Sequence, residues 1–151
     1  MAIMTRTSRI VGLATVALML GACGPPGSDQ QVETEPRVEA LGADQLSARR
    51  AEERWQALIA WDQEKAYSYL SPGTRQVISL AAYAKKNAMA PVHYEDVVVK
   101  STQCENQVCT VTLELHYIYR GSVAAMRGQA MSSTITEKWV EADGSWFYVP
   151  D

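Results

Sequence analysis

Twelve consecutive residues, Cys109 to Arg120, alternate in character. Cys109, Val111, Leu113, Leu115, Tyr117 and Tyr119 fall on one side, and Thr110, Thr112, Glu114, His116, Ile118 and Arg120 on the other. A period of two lines one face of an extended strand; a helix with 3.6 residues per turn would scatter the same apolar set around its circumference. The run therefore predicts a strand with one buried and one solvated face, the habit of antiparallel sheets. A lone strand leaves its backbone groups unpaired, so the chain has to supply neighbours. His93–Ser101, which contains Val97-Val98-Val99, predicts one, and Ser133–Glu141 another. Asp143-Gly144 is a hairpin-turn dipeptide, and Ser145–Val149 a closing strand. Gly121–Ser132 is looser. It is expected as a flexible loop whose Met126 and Met131 fold over the sheet, with a permissive binding surface as the alternative use of those side chains.

Upstream of residue 90 the period is helical. Ala51, Trp55, Leu58, Ile59 and Asp62 share one stripe, with Arg49, Arg50, Glu52, Glu53 and Gln56 elsewhere. A second helical piece, Asp62–Leu70, gathers Ala66, Tyr67 and Leu70 before Ser71-Pro72-Gly73 stops it, and Asp62 suits the capping position at its start. A third runs from Thr74 or Ser79 to Asn87, with Lys85 and Lys86 at its negative end and Pro91 beyond. Helices first and an antiparallel sheet afterwards define a single α+β domain over residues 43–151, its helices packed on one face of the sheet.

The beginning of the chain has another character. Met1–Arg9 carries Arg6 and Arg9 and no acid, Ile10–Leu20 is uninterrupted and apolar, and small residues precede Cys23. That is the layout of a secretory signal, with an apolar run short of the roughly 20 residues a membrane-spanning helix needs. Leu20-Gly21-Ala22-Cys23 resembles the lipobox of bacterial lipoproteins. The resemblance implies that residues 1–22 are a signal peptide cut before Cys23, and that Cys23 carries lipid holding the chain to a membrane. Several acyl chains on one residue anchor firmly where a single chain anchors weakly. Gly24, rather than Asp, after the cysteine implies passage to the outer membrane, facing the periplasm. Residues 24–42 contain Pro25, Pro26 and Pro36, several acids and almost no large apolar side chain, so 23–42 reads as a lipidated cysteine on a disordered tether. A flexible chain of that length spans on the order of 25 Å. Without residues 1–22 the chain has 12 basic against 17 acidic side chains, a net −5, and this argues against a nucleic-acid partner.

In an oxidising compartment Cys104 and Cys109 form an even pair. Glu105-Asn106-Gln107-Val108 folds between them as a hairpin with Asn106-Gln107 at the tip, which sets the cysteines opposite one another at the short end of the disulfide range. A metal site is the alternative, and it lacks ligands: the imidazoles are His93 and His116 only. So short a closed loop contributes about 2 kcal/mol.

The run Trp55-x-x-Leu58…Asp62…Ala66-Tyr67-x-Tyr69-Leu70-Ser71-Pro72-x-x-Arg75, followed by a long hairpin and Trp139-x-x-x-x-Gly144-x-Trp146, is similar to small exported domains of the nuclear transport factor 2-like (cystatin-like α+β) superfamily. The likeness covers Ser47 to Pro150. It implies a strongly curved sheet wrapped around a long helix, a cone with a pocket at its wide end, and Trp55, Tyr67, Tyr83, Tyr117, Tyr119 and Trp139 as candidate lining. Some members are isomerases or dehydratases that use an acidic base and tyrosine donors in an apolar pocket. Asp62, Asp96 and Glu137 supply carboxylates here, but no local motif matches a catalytic set, so no catalytic residue is carried over. The tyrosines read more simply as core aromatics whose hydroxyls find partners at the rim.

His116 lies on the polar face of its strand, His93 opens another strand without a companion motif, and neither marks a site. No nucleophile elbow, phosphate loop or metal-binding helix motif is found, and no cofactor is implied. The sequence thus predicts an envelope lipoprotein whose domain binds a protein, a peptide or a small apolar ligand. A pocket enzyme and a structural assembly subunit are the alternatives. A buried carboxylate in an aromatic cavity would favour the enzyme, an apolar cavity a ligand, and a filled cone assembly.

Overall fold

The structure is a computed structural model that describes residues 41–151. The signal segment, Cys23 and the tether as far as residue 40 lie outside the described residues. Four helices come first: α1 (Ala43–Ile59), α2 (Gln63–Ser68), α3 (Pro72–Val77) and α4 (Leu80–Ala88). Four strands follow: β1 (Val92–Glu105), β2 (Val108–Tyr119), β3 (Ala130–Ala142) and β4 (Ser145–Val149). The strands form one antiparallel meander in the order β1-β2-β3-β4. The domain is α+β, with α1 packed on the inner face of the sheet against β1, β2 and β4.

Each helix boundary has a local cause. The Gln45 side chain accepts from the Gly42 N–H at the start of α1, and Asp44 faces the positive end of the helix dipole. At the other end Trp61 N–H donates to Leu58 O (3.1 Å) and Asp62 N–H to Ala57 O (2.8 Å). These two bonds close a Schellman turn, and its left-handed position, φ 59°, is held by Trp61. A glycine sits there without strain, whereas an L side chain costs roughly 1–2 kcal/mol. The Asp62 carboxylate then accepts from Lys65 N–H and starts α2, as the sequence predicts.

The single third helix of the sequence reading is two. Ser71 caps α3 with Pro72 in its first turn, Ile78 is extended (φ −118°, ψ 116°), and Ser79 caps α4 by accepting from Ala82 N–H. A serine between two short helical runs ends one and begins the next, because its hydroxyl replaces the missing backbone acceptor.

The strands outrun their predicted lengths. β1 extends from Val92 to Glu105 because β2 offers it partners along the whole hairpin, from Val92↔Tyr119 to Glu105↔Val108. Its register shifts between Tyr94 and Asp96 and again between Val99 and Ser101, two bulges of the kind that bend and twist a strand. β3 begins at Ala130 rather than Ser133, since β2 pairs with it as far as Ile118↔Ala130. Met131 is therefore a strand residue, and the loop between β2 and β3 shortens to a 3-10 turn, Ala124–Met126, with its flanks. Asp143 (φ 51°) and Gly144 (φ 73°) are both left-handed, as a two-residue hairpin turn requires. Edge strand β4 is covered by the α2–α3 corner: Tyr148 N–H donates to Tyr69 O (2.8 Å) and Ser71 N–H to Tyr148 O (3.0 Å), with Leu70 bridged parallel to Tyr148.

Between helix and sheet lie Ala51, Leu70, Val111, Leu113, Leu115 and Trp139, all buried. Cys104 and Cys109 stand opposite each other at the end of the β1–β2 hairpin, Cα atoms 4.0 Å apart, and are joined by a disulfide. Asn106, at the tip, is left-handed (φ 55°). Reducing this bridge should lower stability by about 2 kcal/mol. Urea unfolding of the folded domain with and without reductant is expected to show the fall, and an unchanged midpoint would place the hairpin's order in its strand pairing alone.

Candidate functional site

Two charged side chains occupy positions where the pattern calls for apolar ones. Arg54 lies on the buried stripe of α1, three residues from Ala51 and four from Leu58, and is 5% exposed. Glu137 lies on the inner face of β3 between Ile135 and Trp139, and is 3% exposed. They meet across the helix–sheet interface, Arg54 Nη1 donating to Glu137 Oε1 at 2.6 Å. Trp55 Nε1 donates to the same oxygen (2.8 Å), and Trp139 Nε1 to Oε2 (3.1 Å). The guanidinium also lies over the Tyr148 ring, 4.0 Å from its centroid, and 5.3 Å from that of Trp55.

Burial pushes the Glu137 carboxyl up from the ordinary carboxylate range, and the Arg54 guanidinium and two indole N–H groups pull it back. Burial works most strongly against the Arg54 charge, but Glu137 together with Tyr83 and Tyr148 outweighs it and the guanidinium is held above its usual pKa. An arginine does not deprotonate in a protein, and a neutral Glu137 would leave a buried cation uncompensated. The pair is therefore ionised. Among the described residues Glu137 is the only buried carboxylate, and both its oxygens are hydrogen-bonded.

Beside the pair opens a pocket of about 170 Å³ between the α1–α2 corner, the end of α4 and the start of β1. Its walls are Arg54, Trp55, Leu58, Ile59 and Trp61 from the first helix and its turn, Gln63 from α2, Lys86, Asn87 and Ala90 from α4 and beyond, and Val92, His93 and Tyr94 from β1. Asn87 Nδ2 donates to Gln63 Oε1 (2.8 Å), tying α4 to α2 across it. Trp55 and Tyr94 meet edge to face at 4.9 Å, and burial pushes the Tyr94 hydroxyl up. A smaller pocket of about 90 Å³ shares Arg54, Lys86 and Asn87 and adds Tyr83, Tyr148 and Leu70. Tyr83 Oη and Arg54 Nε are buried without a hydrogen-bond partner.

Of the six aromatic residues implied as lining, Trp55 lines the larger pocket and Tyr83 the smaller. Tyr67 faces the helices instead, its hydroxyl donating to Ile78 O (2.8 Å) and its ring against Tyr83. Trp139 is wholly buried behind the pocket, where its indole holds Glu137. Tyr117 borders a shallow surface groove with His116 and Met131, and Tyr119 covers Gly121 and accepts from Val123 N–H. Tyr117 stands one ring removed from the pocket, edge to face with Tyr94 at 6.3 Å, and alternation alone does not reveal which residues of a strand face reach a cavity. His93, which no motif marks, is in the pocket wall. Sequence pattern assigns Arg54 no role and offers Glu137 only as one carboxylate among three. The signals were their spacings, i+3 and i+4 on an apolar helix stripe and i±2 between Ile135 and Trp139.

No protein-family model matches the chain, and no curated protein matches it. Solved structures do. The chain is similar to a SEC-C motif containing protein from Psychrobacter arcticus (TM-score 0.54, 12% identity, 75% of this chain and 63% of that one). It is also similar to the solution structure of a SEC-C motif containing protein from Rhodopseudomonas palustris (TM-score 0.51, 15% identity, 64% of this chain and 70% of that one). A Campylobacter jejuni protein described as a candidate NTF2-like transpeptidase matches with a TM-score of 0.43 at 12% identity, over 67% of this chain and 94% of that one, a similarity that carries no argument. At these identities the likeness speaks for the fold alone.

Removing one member of the ion pair should be costly, because the other stays buried and unpaired. Arg54→Met or Glu137→Leu alone is expected to lose about 3–5 kcal/mol, and the double variant to recover most of it. Chemical denaturation of the three variants tests this; additive losses would show that the charges do not act as a pair. Tyr83→Phe should cost under about 1 kcal/mol, since its hydroxyl bonds to nothing, whereas Tyr67→Phe should cost about 1 kcal/mol through the lost bond to Ile78. Comparing the thermal midpoints of the two variants checks that order.

Proposed function

We propose that this chain is a lipid-anchored envelope protein whose domain, of nuclear transport factor 2-like form, is a binding module rather than an enzyme. The anchoring half of the reading rests on the residues: a basic head, an apolar run and Leu20-Gly21-Ala22-Cys23. Gly24 after the cysteine supports the outer membrane, facing the periplasm. Residues 23–42 then act as the tether that lets the domain sample its surroundings.

The binding half rests on one observation, the full engagement of Glu137. A general base must reach its substrate's proton within hydrogen-bond distance, with a lone pair to take it. The buried carboxylate next to the pocket instead accepts from Arg54, Trp55 and Trp139, and it stands behind the wall rather than in it. What remains open is a cavity of mixed lining, in which Trp55, Leu58, Ile59 and Val92 supply apolar surface and Arg54, Gln63, Lys86, Asn87 and His93 polar groups, a combination that suits a small ligand with both an apolar body and a polar end.

Both halves can be tested on one exported protein. Cys23→Ser should leave the chain unlipidated and in the soluble periplasmic fraction, and membrane retention of that variant would refute lipid anchoring. Native mass spectrometry of the detergent-extracted protein should show a non-covalent small-molecule adduct besides the lipid on Cys23. Bare protein, together with turnover of a substrate by the same preparation, would move the reading to an enzyme.

A further inference from the structure

Resting on that binding reading, the geometry points to a ligand class: we propose that the larger pocket takes a small organic anion, a carboxylate on a single ring or a short acyl chain. Charge is the first ground. The pocket wall holds two cations, Arg54 and Lys86, and no carboxylate; Glu137 compensates Arg54 from behind, which leaves Lys86 as the cation open to a ligand, in a chain of formal net charge −3. Among the described residues the hydrogen bond of the Arg54 guanidinium goes to Glu137, behind the wall, and its Nε is buried out of a ligand's reach. Lys86 is exposed at the rim and in no salt bridge among the described residues. An unpaired cation at the rim of a partly desolvated pocket favours an anion that brings its own acceptors.

Size and shape are the second ground. An apolar cavity of about 150 Å³ holds a benzene. At about 170 Å³ this pocket accommodates one ring or an acyl chain of similar bulk, with the charged end turned to Lys86. Trp55, Tyr94 and Trp61 supply aromatic surface.

Trp61 is the third ground. It fills the left-handed position of the Schellman turn, where glycine is the unstrained residue, yet 55% of it is exposed. The fold draws little burial from it there. Its indole walls the pocket mouth, and a bound ligand would cover it, so Trp61 is assigned as a ligand-stacking residue.

The experiment titrates the folded domain with benzoate, benzyl alcohol and inorganic phosphate by calorimetry, reading the Trp61 indole by NMR. Benzoate should bind at least tenfold tighter than either of the others and shift the Trp61 indole signal. Lys86→Gln should weaken benzoate about fivefold without changing the melting temperature. Trp61→Gly should weaken it at least tenfold while the melting temperature stays equal or rises, an outcome a merely structural tryptophan would not give. Benzyl alcohol binding as tightly as benzoate overturns the charge assignment and leaves the binding module standing. Phosphate binding as tightly overturns the organic body, and an unchanged benzoate affinity in Trp61→Gly overturns the stacking role. If no probe binds, the inference fails; a small-molecule adduct on the native protein would then still support binding, and bare native protein that turns over a substrate would fell both.

Discussion

The interface between α1 and the sheet is organised around the Arg54–Glu137 ion pair. Two charges removed from water stabilise a fold only when each finds a close opposite partner and the remaining lone pairs are bonded. Here the carboxylate has the guanidinium at 2.6 Å and two indole N–H groups, and the guanidinium lies on the Tyr148 ring. The arrangement is demanding because it draws on three elements at once. Arg54 and Trp55 come from α1, Glu137 and Trp139 from β3, and Tyr148 from β4. Rotating α1 by one residue, or slipping β3 by one, would leave a charge buried alone, so the pair specifies helix orientation and strand register in a way that interchangeable aliphatic contacts do not.

The same pair shapes the pocket. With Glu137 engaged from behind, Arg54 forms part of the wall, and the space in front of it is closed by elements that the local sequence positions independently. The Schellman turn at Ala57–Asp62 reverses the chain and brings Trp61 to the mouth, while Asp62 starts α2. Ser79 restarts the chain as α4 after the break at Ile78, which carries Lys86 and Asn87 to the opposite side. The hydrogen bond from Asn87 to Gln63 then ties the two sides together. The cavity is thus a consequence of where short helices end, and the core beneath it is closed by Leu70, Val111, Leu113 and Trp139.

The solved structures similar to this chain share its fold at low sequence identity. Such a likeness is what pattern-driven folding produces. An amphipathic helix on an antiparallel meander needs apolar residues at the right period and turn residues at the right places, and many side-chain sets meet that need. Fold does not fix site chemistry, so this likeness carries nothing about the wall that Arg54, Lys86 and His93 form.

The α+β class, the strand at 109–120 with its inward and outward faces, the Asp143-Gly144 turn, the Asp62 cap and the Cys104–Cys109 hairpin were all legible in the residues, because each depends on neighbours within a few positions along the chain. Strand ends were less so: β1 and β3 grow to match β2, and pairing length is decided by the partner. The site was legible least. Arg54 and Glu137 stand 83 residues apart, and each looks like a surface charge until its partner is placed against it. Of the six aromatics implied as lining, the structure brings Trp55 and Tyr83 to cavities and turns Trp139 into a hydrogen-bond donor for the buried carboxylate. The period of a segment tells which face a side chain takes. Only the packing of α1, α4 and the sheet decides which of those faces enclose a space, since a cavity is a relation among elements distant in sequence and has no local signature.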